Sequence, residues 1–247
     1  MNIVARGEGS FTQAGDVRGD DDGLSVGIKQ WTLYSGNLGR LMQRYRDVAE
    51  REGKLNEFYE VFGGRESAER MLQILRDNPR SVRPDTIQSM FAEAGGRAIF
   101  QRAQIELARE EVSRDLRRVM QNHPYLRDGQ LSAQSVATSL IVNNIGPARL
   151  GRVHKQTINE LYAELLRQNA TVRKQVQGRA VTDALKREIV VANIAEQEFN
   201  DRLVRVAPRV LYTSLRNYRT NARGWENRLR HAISLYSPDE HVRADGQ

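Results

Sequence analysis

Glycines at positions 15, 19, 23 and 27 recur every fourth residue near the start of this chain. Each costs a helix about 1 kcal/mol relative to alanine, so a helix across this stretch is untenable. The same residues suit tight turns, and a small β-hairpin within residues 11 to 31 is the only β-structure expected. From Ser35 onward the pattern is helical almost throughout. Ser35 is placed to cap a helix beginning near Asn37, with Leu38, Leu41, Met42, Tyr45 and Val48 at three- and four-residue steps, and Gly53 ends it.

Helices at about 54–62 and 66–77 follow, parted by Gly63-Gly64, and another starts at Pro84, a residue suited to a first helical turn. The longest follows Gly95-Gly96 and runs to about Asn122, with Ile105, Ala108, Val112, Leu116 and Val119 on one stripe, which makes it the expected central spine. His123-Pro124 stops it. Ser132 can cap a helix through Val142 that closes at Asn143-Asn144-Ile145-Gly146-Pro147. Further helices are expected at about 152–168, 171–177, 180–206, 208–219 and 223–235, with a frayed polar tail over 237–247.

The 247 residues can bury a sizeable core, and the expected organisation is a single domain, with a small lobe over about 1–50 and a helical body over about 51–236. No apolar run approaches the length of a membrane span, so no membrane anchor is expected. Residues 1–10 include Arg6 and Glu8 and have no apolar core, so no signal peptide is expected there. Zero cysteines exclude disulfides and thiolate metal sites, and His123, His154, His231 and His241 lack ligand spacing. Neither a metal nor another cofactor is expected.

A net charge of +7 favours a polyanionic partner: nucleic acid, anionic lipid or an acidic wall polymer. Residues 1–35 run the other way, with Glu8, Asp16, Asp20, Asp21 and Asp22 against Arg6, Arg18 and Lys29. The C-terminal third interleaves Arg202, Arg205, Arg209, Arg216, Arg219, Arg223, Arg228 and Arg230 with Tyr212, Tyr218 and Trp225. Such a pattern can contact phosphates and bases, but no nucleic-acid motif accompanies it, and a solvated helical face accounts for it. Nucleic acid is not expected as an obligatory partner.

Glu8 and the Asp20–Asp22 cluster are the residues with a chemistry to offer. Cleaving a glycosidic bond takes two carboxyl groups, one protonated and one ionised, on either side of the scissile oxygen. A glutamate beside Ile3 and Val4 loses solvation and can hold its proton near neutrality, whereas an aspartate on a wetter hairpin stays ionised. Repulsion within the acidic cluster works against that ionisation, so Arg18 or Lys29 is expected to keep the working aspartate charged. The plainer reading makes the cluster a solvated turn and Glu8 a helix-end residue. Consecutive aspartates do not reproduce the alternating ligand pattern of a calcium loop.

Glu8, the run Gly19-Asp-Asp-Asp-Gly-Leu-Ser-Val-Gly-Ile-Lys-Gln-Trp31 and Ser35-Gly-Asn-Leu-Gly39 together resemble the lysozyme-like superfamily, in particular chitosanase-like peptidoglycan hydrolases. The resemblance covers the first forty residues and extends more loosely to 139–149. It implies a mostly α, two-lobed lysozyme/chitosanase-like helical fold with a small β-hairpin near the active site. Glu8 would be the general acid and Asp20 the base that activates water, with Asp21 as the alternative base. Asp22, Ser25, Gln30, Trp31, Asn143 and Asn144 would contact substrate, Ser25 also binding the nucleophilic water or the aspartate. Asn143 and Asn144 are equally explained as helix-capping residues, and Trp31 as a core residue.

Charge separates the candidate polymers. Chitosan is a polycation and would be repelled by a basic protein, whereas peptidoglycan carries peptides with free carboxylates. The expected activity is therefore that of a muramidase acting on peptidoglycan glycan strands in the bacterial periplasm or cell wall, with inversion at the anomeric carbon. Delivery would be by phage lysis, by a secretion system with an immunity protein as partner, or as part of a larger multidomain chain. A lytic transglycosylase would instead use Glu8 alone, and a non-catalytic polyanion-binding module would need neither acid.

Overall fold

The computed structural model describes residues 10–16, 23–145, 147–214, 227, 229–231, 233–236 and 239–243. They are mostly helical, with small antiparallel sheets, and fall into two compact units divided between Val112 and Ser113. No helix among them is long and apolar enough to cross a membrane.

The first unit opens with the expected β-structure. Strands β1 (Ala14–Asp16), β2 (Leu24–Val26) and β3 (Trp31–Thr32) form an antiparallel sheet in the order β1-β2-β3. Ala14 pairs with Val26 and Asp16 with Leu24, while Ser25 and Val26 face Thr32 and Trp31 on the other side. A tight turn joins β2 to β3: Gln30 donates its N–H to the Gly27 carbonyl at 3.0 Å, and Gly27 takes φ +75°. That left-handed conformation is open to glycine and costly to a residue with a Cβ.

Helices α1 (Asn37–Arg51), α2 (Leu55–Val61), α3 (Arg65–Asp77) and α4 (Pro84–Gly95) enclose this unit's core with the first part of α5 (Ala98–Asn122). Leu38, Leu41, Met42, Tyr45 and Val48 are all buried along α1, as their spacing requires. Ser35 caps α1 from one residue further out than expected. Gly36 is the N-cap residue, and Ser35 Oγ accepts the Asn37 N–H at 3.3 Å. Tyr45 meets Phe58 edge-on at 5.2 Å and Phe100 at 5.0 Å, an aromatic cluster that Phe62 and Phe91 extend. Burial pushes the Tyr45 phenol up to about 12.

The expected stripe of α5 holds in part: Val119 is fully buried, and Ala108 and Leu116 each pack against the core of their own unit, but in the first unit the inward face is rotated from it. Ile105 is 37% exposed, and Phe100, Ala103, Gln104, Leu107 and Glu111 face inward. Two polar residues therefore occupy core positions, which burial allows only if they are hydrogen-bonded.

The second unit comprises the end of α5, β4 (Gln130–Ser132), α6 (Ala133–Ile145), α7 (Pro147–Gln168), α8 (Ala170–Val176), α9 (Asp183–Asn193), α10 (Glu196–Ser214) and β5 (His241–Arg243). Helix α10 packs on α7 and α6, and α7 also packs on α9, around Leu161, Phe199, Leu203 and Leu211. Ser132 Oγ accepts the Ser135 N–H at 3.2 Å and caps α6 as expected.

Three expectations fail in this unit. The stretch expected as one helix over 180–206 breaks at Ile194, because the Tyr125 phenol donates to the Ile194 carbonyl at 2.9 Å and draws it out of the helical ladder. The break expected before Pro208 is absent, and α10 runs through that proline. The tail expected to fray contains β5, whose Val242 pairs with Leu131 and whose preceding Glu240 carbonyl accepts the Ala133 N–H at 2.7 Å.

Candidate functional site

Two side chains of α5 hold the N-terminal sheet. Gln104 is fully buried; its carbonyl oxygen accepts the Ile28 N–H at 3.1 Å, and its amide nitrogen donates to the Phe11 carbonyl at 2.9 Å. One carboxamide thus ties the β2–β3 turn to the segment entering β1. Gly27 makes this contact possible, since a Cβ there would lie 2.8 Å from Gln104 Cδ. Close approach also matters where Phe11 and Thr12 cross α4. A Cβ on Gly95 would stand 2.6 Å from the Phe11 oxygen.

Glu111 completes the attachment. Its carboxylate, 6% exposed as a residue, accepts the Trp31 indole N–H at 3.2 Å and pairs with Lys29 at 3.4 Å and Arg40 at 3.0 Å. Three donors satisfy the buried acid, and among the described residues two cations face this one carboxylate. Lys29, expected to help keep the working aspartate charged, pairs with Glu111.

The four expected catalytic and adjoining acids, Glu8, Asp20, Asp21 and Asp22, lie outside the described residues, as does Arg18. What is described is the frame on either side of the acidic cluster. Asp16 and Leu24 are ladder partners, so the chain leaves and re-enters the sheet at one paired position. Ser25 sits between them and the turn, 3% exposed, opposite Gly15 and Thr32. Gln30 is half-buried at φ +52°, a left-handed conformation uncommon for a residue with a Cβ. Trp31, expected as a substrate contact, is 3% exposed and belongs to the core, where its ring and N–H position the hairpin.

Asn143 belongs to the second unit, buried on α6, and its Oδ1 has no hydrogen-bond partner. The side chain of Asn144 lies outside the described residues. Asn143 lines a cavity of about 420 Å³ made by this unit's own residues, among them Arg118, His154 and Arg187. Two histidines to which the sequence reading gave no role meet beside it. His123 and His154 are edge-to-face at 5.0 Å, and Ser139 Oγ lies 3.4 Å from His154 Nε2. Burial, aided by Arg187, lowers His154 to about 4 and drives His123 well below its ordinary value, so both rings are neutral at physiological pH.

The C-terminal arginines that are described include two engaged within their own unit. Arg202 pairs with Glu164, and Arg209 pairs with Glu160 at 2.9 Å. Among the described residues no group of three or more His, Asp or Glu side chains could hold a metal ion. Sequence reasoning missed Gln104 and Glu111, although a signal was present: both fall on the three- and four-residue steps that run from Phe100 through Leu107, as polar residues within an apolar stripe. Comparison with protein-family models, with curated proteins and with solved structures finds no match.

Proposed function

We propose that this protein is a glycoside hydrolase that cuts the glycan strands of bacterial peptidoglycan, with Glu8 as general acid and an aspartate of the 20–22 cluster as the base activating water. The observation that carries the reading is the antiparallel β1–β2 ladder, whose paired ends Asp16 and Leu24 flank the acidic cluster in the chain. A base that must activate one water molecule needs a backbone that returns it to the same place, and the ladder fixes the strands from which the chain leaves and to which it returns on either side of the cluster. Gln104 and Glu111 support that precision by tying the hairpin to a long helix. The lysozyme-like fold that the motif implies belongs to the same proposal, and a mostly helical chain with a small sheet ahead of its first long helix is compatible with it. A net charge of +7 favours a polymer bearing free carboxylates.

Purified peptidoglycan incubated with the wild type, Glu8→Gln, Asp20→Asn, Asp21→Asn or Asp22→Asn, followed by mass spectrometry of the fragments, tests the proposal. The expected result is new reducing ends from the wild type, lost in Glu8→Gln and in one of the three aspartate variants. Absence of glycan cleavage by the wild type on several wall types overturns it. Anhydro ends that survive all three aspartate changes assign the activity to a lytic transglycosylase using Glu8 alone.

A further inference from the structure

Apart from the sheet and its flanking acids, the second unit contains the cavity at Asn143, and its walls have a definite chemical character. Arg118 and Arg187 line it, and among the described residues neither pairs with a carboxylate. The other two charged groups of the wall cancel, since Lys155 pairs with Asp183 at 2.7 Å. His154 contributes no charge, being neutral above about pH 4. The cavity therefore carries two guanidinium groups without a carboxylate partner among the described residues; Arg187 donates one Nη2 hydrogen to the His123 carbonyl at 3.1 Å, and the remaining donors of both are suited to an oxyanion.

Two further features select among oxyanions. Asn143 is 4% exposed and its Oδ1 has no partner, a cost that a ligand N–H or O–H would relieve. Leu150 and Ile158 give the wall an apolar face. A bare inorganic anion would leave that apolar face uncovered. The volume, about 420 Å³, lies at the small end of the range for organic ligand sites.

We infer that the second unit has its own binding site for a small organic carboxylate with amide or hydroxyl donors, of the size of an N-acylated sugar acid. Arg118 and Arg187 hold the carboxylate, Asn143 accepts from the amide or hydroxyl, and Leu150 and Ile158 cover the carbon skeleton. The choice of an acidic amino sugar as probe rests on the peptidoglycan reading; the site itself rests on the cavity. Free sugars contain no bond for the hydrolase to cut, so binding and cleavage can fail separately.

Isothermal titration of the full chain with N-acetylmuramic acid, N-acetylglucosamine and inorganic phosphate tests the site. The expected result is binding of the acid at millimolar or lower concentration, with the neutral sugar and phosphate each about ten-fold weaker or worse. Arg118→Gln, at an exposed position, and Arg187→Lys, which keeps a donor for the His123 carbonyl but loses the paired N–H fork, each weaken the acid about ten-fold. Asn143→Leu, close in volume, weakens it too while leaving the melting temperature unchanged or higher, as removal of an unpaired buried oxygen should. Equal binding of the neutral sugar or of phosphate, no binding of the acid, or arginine variants that bind like the wild type would each overturn the inference.

Discussion

Glu111 shows how much one buried charge can organise. Replacing it with glutamine keeps an oxygen for the Trp31 indole but leaves Lys29 and Arg40 without their anion. Breaking a buried pair by removing one partner costs about 3–5 kcal/mol, and the partial exposure of Arg40 reduces this. Glu111→Gln is therefore expected to lose about 2 kcal/mol in urea unfolding, and an unchanged midpoint would show that the pair contributes nothing. His154 makes a prediction with the opposite dependence on charge. Its folded-state value, about 4, lies below the ordinary imidazole value of about 6.5, so the unfolded chain binds the proton more tightly. Stability is then full above pH 6.5 and falls as the pH drops toward 4, by about 3 kcal/mol for this ring, at 1.36 kcal/mol per unit. His123 is shifted in the same direction and adds to the slope. Denaturant unfolding at pH 7 and pH 5 should show the loss, and His154→Gln should flatten the difference.

At the level of elements, the β2–β3 turn and α10 depart from ordinary preference in different ways. Gly27→Ala forces a Cβ into both a left-handed backbone and the Gln104 carboxamide, and about 2 kcal/mol should be lost. A thermal scan checks it, and a wild-type melting temperature would mean that Gln104 simply moves aside. Pro208 lies inside α10 and removes one helical hydrogen bond, so Pro208→Ala should stabilise the chain by about 1 kcal/mol, after the greater freedom of the unfolded chain is subtracted. Pro208 and Ile194 also show where local pattern stops being informative. The helix of α1 was legible because Leu38, Leu41, Met42, Tyr45 and Val48 all face one core. The break at Ile194 depends on a phenol 69 positions earlier, and the survival of α10 through Pro208 depends on its packing against α7 and α6. Strand β5 depends on Leu131, more than a hundred residues before it, so its three residues looked like tail. The glycine spacing likewise announced the hairpin, but nothing near it announced Gln104 or Glu111.

For the whole molecule, charge is the property most open to measurement. A net charge of +7 predicts that an uncleaving Glu8→Gln variant is retained on purified peptidoglycan in a salt-dependent way, several-fold less at about 200 mM than at about 50 mM. Retention indifferent to salt would remove the electrostatic argument for this polymer. The anchoring of the sheet by α5 has a consequence for how the chain is made. Ile28 finds Gln104 across 76 positions and Trp31 finds Glu111 across 80. A growing chain that has reached residue 97 already owns all three strands but neither of the side chains that fasten them. Contacts so distant along the chain form late, because the intervening loop must close before they contribute. The sheet is thus made before the side chains that secure it, and a chain interrupted before Gln104 would leave it with strands and no anchor.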